Sequence, residues 1–469
     1  MRIKLGAIAL LLASPLMAQP KTMPLQSYLQ EVQRQNKTIV GAKLAIEAAA
    51  LKQKESNLST TPVFYSNGQA LSDSKLGPMT TFTGEQTLAY SVDAGVSTQL
   101  SMGTQLKAGY SLAYTSLVGA NPFFVSQTAY YDAKPMIEIT HPLWRGAGGS
   151  LIGANKRVIM AQANAQQLSN QYVVTQVLNQ AEAVYWRLAL AQQAVKIYKD
   201  GVARAQKMSD WVSRRNALEL GDRSDALQAQ ANVELRRLEL QTAEDELRGA
   251  KRAFNAYRNA SEGTATETLD FPSDDALMAM AQPVKPQLRD DLKAAYAGLE
   301  ATSANVEINR QRLTPVLDAF ASVALNQHYP TLTEAATSTL STRYPTGMIG
   351  LKFSTSLDGP LVDDILKGAV KDYESAKATL QQRQFDQDQE WVDWTQKLGD
   401  AKKRLNIVAH IEKTQYSKWQ YEVEKHQKGR STLYQVLLFE QDYALAQLNR
   451  LRAESDVIAA YVQLKRFGS

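Results

Sequence analysis

From Gly153 to Asn216 the sequence contains no proline and carries a sustained apolar seam. Val177, Ala181, Val184, Leu188, Ala191, Val195, Tyr198, Val202 and Ala205 are followed, after a polar position at Ser209, by Val212. The steps alternate four and three, a mean of about 3.5, which is the period of helices packed as a coiled coil. A helix of about 60 residues is about 90 Å long at 1.5 Å per residue. No globular core of this chain's size needs that length. The stretch therefore specifies either a fibre-like rod or an element that spans a distance.

Several classes of protein are excluded by composition. The chain has no cysteine, so disulfides, thiolate metal sites, cysteine nucleophiles and a cysteine-borne lipid anchor are all ruled out. The net charge of +5 over 469 residues comes from scattered Lys and Arg interleaved with Asp and Glu, and this pattern argues against nucleic-acid binding. An export signal is read at residues 1–18: Arg2 and Lys4, a short apolar core from Ile8 to Leu12, and a cleavage site at Leu16-Met17-Ala18. No later segment has the roughly 20 apolar residues a membrane helix needs. Entry into a membrane would therefore be as a closed β-barrel.

In chain order, residues 25–59 read as a helix that ends before Pro62. Residues 63–143 change character, with Gly, Ser, Thr and Tyr replacing Ala, Gln and Glu. Alternation of period two runs from Val92 to Leu100 and from Leu106 to Tyr114, with a hairpin turn at Ser101-Met102-Gly103-Thr104, and a further strand leads through Met136–Thr140 into Pro142. Two readings of this block stand side by side: a soluble antiparallel sheet, or barrel strands with an interfacial aromatic girdle. A helical hairpin follows over 153–259 with its tip near Gly221, where Gly221 is the expected helix stop and Ser224 or Asp225 the expected N-cap. Residues 272–286 form a linker containing three prolines. The order then recurs: a helix over 287–313, strands over 316–357, and a hairpin over 360–466 with its tip near Gly429. All fifteen prolines fall before Leu143 or within Pro272–Pro360, so neither hairpin carries a proline beyond its first residue. Residues 19–271 and 287–469 thus read as two divergent copies of one unit.

The duplicated order resembles the TolC-like outer-membrane efflux family over essentially the whole mature chain. His141-Pro142-Leu143-Trp144-Arg145-Gly146 with Gly148 is similar to that family's strand-to-helix junction, and Gly347–Leu357 with Asp358-Gly359 to the matching junction of the second half. Gly429-Arg430-Ser431-Thr432-Leu433-Tyr434-Gln435-Val436-Leu437 is similar to its second tip, and Gly221-Asp222-Arg223-Ser224 to its first. The resemblance implies a mostly α fold with membrane β: a homotrimer with an α-helical barrel joined to a β-barrel. It implies residence in the outer membrane of a Gram-negative bacterium, in contact with its lipid, with a long periplasmic part. The function implied is the exit duct of a tripartite efflux or type I secretion system. Its partners would be a periplasmic adaptor (membrane fusion) protein and an inner-membrane pump or ABC transporter. Four strands per protomer would give a twelve-stranded barrel. The hairpin around Gly103 is then extra, and either adds strands or lies outside the barrel.

The resemblance places the gate and the adaptor contact at the tips: Gly221, Asp222, Arg223, Ser224 and Asp225 in the first, and Gly429, Arg430, Thr432, Gln435 and Leu438 in the second. The family's acidic ring would fall on Gln435 and Leu438, neither of which is charged; Asp222 and Asp225 are the alternative acids, with Arg223 and Arg430 as their expected partners. Pro142, Leu143, Trp144 and Gly146 are expected at the membrane interface. No catalytic, cofactor-binding or metal-binding residues are expected. The four histidines are scattered, and Asp290-Asp291 and Asp363-Asp364 are adjacent helix residues that point apart. An enzyme is not expected. The alternative function is a soluble periplasmic coiled-coil adaptor or scaffold, which the duplicated hairpins argue against.

Overall fold

The structure, a computed structural model, describes residues 22–74, 77, 79–219, 221–261, 267–285 and 288–467. The expected export signal lies outside these residues, as do Leu220, Pro286 and Gln287. The elements in order are β1 (Thr22–Met23), α1 (Leu25–Gln35), α2 (Lys37–Lys52), a 3-10 stretch (Gln53–Thr60), β2 (Val63–Asp73), α3 (Thr80–Thr83), β3 (Gln86–Gln99), β4 (Gln105–Val118) and β5 (Ala129–Pro142). After these come α4 (Ser150–Ala217), α5 (Arg223–Tyr257), β6 (Thr268–Leu269), α6 (Asp274–Ala279), α7 (Asp290–Leu313), β7 (Val316–Leu325) and β8 (Gln327–Tyr329). The chain closes with α8 (Leu332–Thr337), β9 (Pro345–Ser354), α9 (Gly359–Gln427) and α10 (Leu433–Lys465). The described residues fall into two compact units, and each draws segments from both sequence halves: those within 22–44, 170–289 and 385–467 in one, those within 45–169 and 290–384 in the other.

The first unit is helical. The seam read from the sequence is its core: Ala181, Leu188, Val195, Ala205 and Val212 are buried, and Ser209 is buried in the seam's polar gap. Tyr28 stacks on Phe254 at 4.1 Å between ring centres, and its hydroxyl donates to the Phe254 carbonyl. Burial of the Tyr185 phenol pushes its pKa up to about 12. A second cluster joins Leu398, Ala401 and Leu405 of α9 to Val457, Ile458 and Leu464 of α10. The single helix expected over 25–59 is instead broken at Asn36, whose backbone is extended. The Asn36 carbonyl oxygen of the side chain accepts from the Thr38 and Ile39 amides, and its amide donates to the Tyr257 carbonyl at 2.9 Å. One side chain thus caps the start of α2 and the end of α5, which outweighs helix continuity.

The second unit carries the sheet, an antiparallel meander in the order β2-β3-β4-β5-β7-β9, with short β8 beside β5. It holds six long strands, not the four that the resemblance implied. The hairpin around Gly103 lies inside the sheet, between β2 and β5. Its turn is seated on the junction between β5 and α4. Thr104 hydrogen-bonds His141 at 2.8 Å, and an added Cβ on Gly103 would meet the Pro142 ring at 2.9 Å. Arg145 closes the same junction by donating to the Thr314 and Arg312 carbonyls at the end of α7, where free carbonyls and the helix dipole favour a cation.

Candidate functional site

The two tips form by different local chemistry. At the second, α9 ends on Gly429 in the left-handed region (φ 70°), with the Arg430 amide donating to the Lys425 carbonyl and the Gly429 amide to that of His426. This is the hydrogen-bonding pattern of a Schellman stop. Thr432 caps α10 by accepting from the Gln435 amide at 3.3 Å. At the first tip the left-handed residue is Glu219 (φ 59°), not the expected Gly221. Gly221 serves by close approach, since a Cβ there would lie 3.3 Å from the Asn216 nitrogen. The N-cap is Asp222 rather than Ser224 or Asp225, and it accepts from the Ser224 amide at 2.9 Å. Hydrogen bonds from the Ser224 backbone and side chain hold the Asp222 carboxyl below its ordinary pKa. Among the described residues no ion pair joins Arg223 or Arg430 to Asp222 or Asp225, so the expected charge pairing across the tips is replaced by capping. Gly221, Arg223, Gly429, Arg430 and Leu438 are exposed, while Gln435 and Asp225 are half-buried.

Of the residues that tie the hairpins together, Val212 and Leu433 stand in the sequence only as seam and tip-motif positions, and the charged ones were not singled out. Val212 of α4, Ala229 of α5 and Leu433 of α10 form a small apolar cluster beside the tips, with Met208, Trp211 and Leu437 packed against it. The His426 ring lies 4.9 Å from that of Trp211, and its Nδ1 is 2.9 Å from the Ser431 carbonyl oxygen. The Ser431 hydroxyl donates to the buried Glu422 carboxylate. Farther along the helices, Glu440 of α10 is buried between two arginines. Its carboxylate meets Arg236 of α5 at 2.6 Å and Arg204 of α4 at 3.4 Å, and Arg236 also holds Glu239 at 2.9 Å. The Arg204 guanidinium sits 5.3 Å over the Tyr443 ring. A signal for this site existed. Leu433, Val436, Glu440 and Tyr443 step by three and four, so a charge stands in an apolar seam; Arg236 does the same after Ala229 and Val233.

A second cluster ties α6 to the same hairpin. Arg450 meets Asp274, Glu412 and Glu454 at 3.0, 3.0 and 3.1 Å. Burial, followed by the neighbouring Asp274 carboxyl, pushes Glu454 up to about 8, against the pull of Arg450. A carboxyl whose pKa is raised in the folded state contributes stability that is full below its unfolded value and is lost as pH rises through the folded one. Folding stability is therefore expected to fall between about pH 4.5 and pH 8, by on the order of 2 kcal/mol after allowance for solvent screening. Glu454→Gln should flatten that slope in denaturant titrations across the same range, and an unchanged slope would remove Glu454 as its source.

The sheet is segregated by charge. Its register places Asp73, Asp93, Lys107, Asp132, Lys134, Glu138, Asp318 and Lys352 all on one face. Among the described residues of these six strands, the opposite face carries no Asp, Glu, Lys or Arg. It carries Phe64, Val92, Val96, Ile137, Ile139, Val323, Ile349, Leu351 and Phe353, all exposed. Tyr90, Tyr114 and Tyr131 lie abreast on this apolar face, in ring contact across β3, β4 and β5. Near the other end of the strands, Trp144 meets Phe353 edge-to-face at 6.2 Å. From Tyr131 to His141, at about 3.3 Å per residue and a tilt of about 45°, β5 spans about 23 Å, close to the ~25 Å apolar band of a membrane barrel. No described helix is long and apolar enough to cross a membrane.

No family model and no curated protein matches the chain by sequence. Solved structures do match by fold. The outer membrane protein VceC from Vibrio cholerae is 13% identical at a TM-score of 0.67, covering 95% of this chain and 96% of its own. The outer membrane channel CmeC of Campylobacter jejuni is also 13% identical at 0.67, covering 95% and 85%. The open state of the MtrE outer membrane channel of Neisseria gonorrhoeae is 13% identical at 0.60, covering 95% and 89%. The chain has the fold of these outer-membrane channels.

Proposed function

We propose that this protein is an outer-membrane channel, the exit duct of a tripartite export system, and that it is a passive conduit gated at its helical tips. The observation that carries this reading is the charge-segregated sheet: an exposed apolar face with aromatic rows near both ends suits lipid, and the charged face suits a water-filled lumen. A soluble scaffold has no use for such a face. Three copies would pool their strands into one barrel, and their hairpins would form the periplasmic duct. Helices α4 and α9, at 68 and 69 residues, are each about 100 Å long, a length suited to crossing the periplasm. The exposed tips Gly221–Asp225 and Gly429–Thr432 would receive a periplasmic adaptor, with an inner-membrane pump or ABC transporter behind it. The two sequence halves would be divergent copies of one ancestral hairpin unit.

The test is conductance in a planar bilayer. Detergent-extracted protein should give discrete, small steps, because the mouth rests closed. A protein that washes off membranes in salt and gives no conductance would overturn the reading. The gate has its own test. The chain lacks cysteine, so a cysteine pair placed between α4 and α10 at the Val212 and Leu433 cluster would form one defined bond. Oxidation should abolish transitions to larger conductance while the oligomer still assembles, and reduction should restore them. Transitions that persist in the oxidised protein would remove the tips as the gate.

A further inference from the structure

The two sequence halves contribute unequally to the sheet. Each half supplies one strand after its short helix and one before its long helix: β2 and β5 in the first, β7 and β9 in the second. The hairpin of β3 and β4 has no long counterpart in the second half. Yet four independent features build it into the wall. Its register continues the charge segregation, with Asp93 and Lys107 on the charged face and Val92, Val96, Leu106 and Leu112 on the other. Its tyrosines Tyr90 and Tyr114 extend the aromatic row of Tyr131. Tyr65 of β2 lies across the facing pair Gly95 and Gly109, where added Cβ atoms would come within 2.6 Å of its hydroxyl and closer still. Only glycines admit a ring laid over two adjacent strands, and the ring covers the backbone that they leave bare. Finally, Thr104 and Gly103 in the turn are fitted to His141 and Pro142.

We infer that β3 and β4 are transmembrane strands of the barrel itself, so that each copy supplies six strands and the assembled pore is wider than the repeat alone would make it. Among the described residues, β2 and β9 each have a single strand neighbour. Six strands are too few to close, since the smallest membrane barrels have about eight. The occupant of each free edge is therefore a second copy of this chain, β2 of one against β9 of the next. This rests on the channel reading above. With three copies the barrel has eighteen strands. At about 4.8 Å between strands and a tilt of about 40°, its backbone diameter is about 36 Å, against about 24 Å for twelve strands. The wall in the membrane then does not limit cargo size, and selection by size falls to the helical tips.

The experiment is a cryo-electron-microscopy reconstruction of the detergent-extracted oligomer, with strands counted per copy. Six strands per copy, β2 paired with a neighbour's β9, is the expected result. A membrane barrel with four strands per copy and the β3–β4 hairpin outside it would overturn the inference and leave the channel reading standing. A water-soluble particle with no barrel would overturn both. A second measurement works without a reconstruction. Asn67→Cys with Asp93→Cys, which are opposite residues of β2 and β3, should form an intrachain disulfide in membranes, detected by mass spectrometry. If β2 instead pairs directly with β5, that bond will not form.

Discussion

Replacing Glu440 with alanine is expected to lower the unfolding free energy of the helical unit by about 3–5 kcal/mol, because it leaves the buried Arg236 and the half-buried Arg204 guanidinium groups without their shared carboxylate. The Arg204 and Arg236 Nε atoms are already buried without hydrogen-bond partners, and the contacts that would remain, Glu239 for Arg236 and Gln447 with the Tyr443 ring for Arg204, do not replace the shared carboxylate. Denaturant unfolding followed by circular dichroism reads the loss. The control is Leu438→Ala on the same helix. That side chain is 38% exposed, and its truncation should cost about 0.5 kcal/mol or less. The network bridges α4, α5 and α10, so its loss should also free the second hairpin from the first. Conductance of Glu440→Ala should then shift toward the larger level severalfold in occupancy. Equal stability of the two variants would mean that the network contributes no more than surface charge pairs do.

Gly149→Ala is expected to prevent the sheet from reaching its native state. Gly149 has φ 77°, and a Cβ there would lie 1.8 Å from the Ser101 carbonyl oxygen in the β3–β4 turn. The left-handed backbone alone costs an alanine about 1–2 kcal/mol. Displacing a neighbouring backbone carbonyl adds to this, taking the total to about 4 kcal/mol or more, a size reserved for clashes and strain of this kind. Its neighbour Gly148 separates the two causes. It too has positive φ, at 62°, but a Cβ there meets nothing within 4 Å. Gly148→Ala should therefore cost only the backbone term and yield folded protein in membranes at near the normal level. Comparable yields from both variants would show that the turn does not need its seat on the junction.

These two positions show what can be read in a sequence and what cannot. Gly148 and Gly149 stand in a recognisable junction motif, but nothing local says that one faces open space and the other Ser101, which lies 48 residues earlier. The long helices were legible almost to the residue: a hairpin read as 360–466 spans 359–427 and 433–465. Their seams repeat within a few residues, and that period is set by helix geometry alone. Asn36 was missed because its capping depends on Tyr257, a partner supplied by tertiary packing. Gly221 was given the role that Glu219 plays, since a preference for glycine at left-handed positions does not fix which turn residue adopts one.

By itself the sequence determined what local periodicity and local breakers govern: the long helices of the hairpins, the turn at Ser101–Thr104 and the absence of cysteine chemistry. Only the tertiary structure decided which strands sit side by side and which buried charges meet. The placement of β3 and β4 beside β2 and β5 depends on Tyr65 crossing Gly95 and Gly109 and on a turn fitted to Pro142. The trio of Glu440, Arg204 and Arg236 joins residues more than 200 positions apart. The physical reason is that a helix carries its hydrogen bonds within a few residues, whereas a strand or a buried charge is stabilised only by partners that folding brings to it.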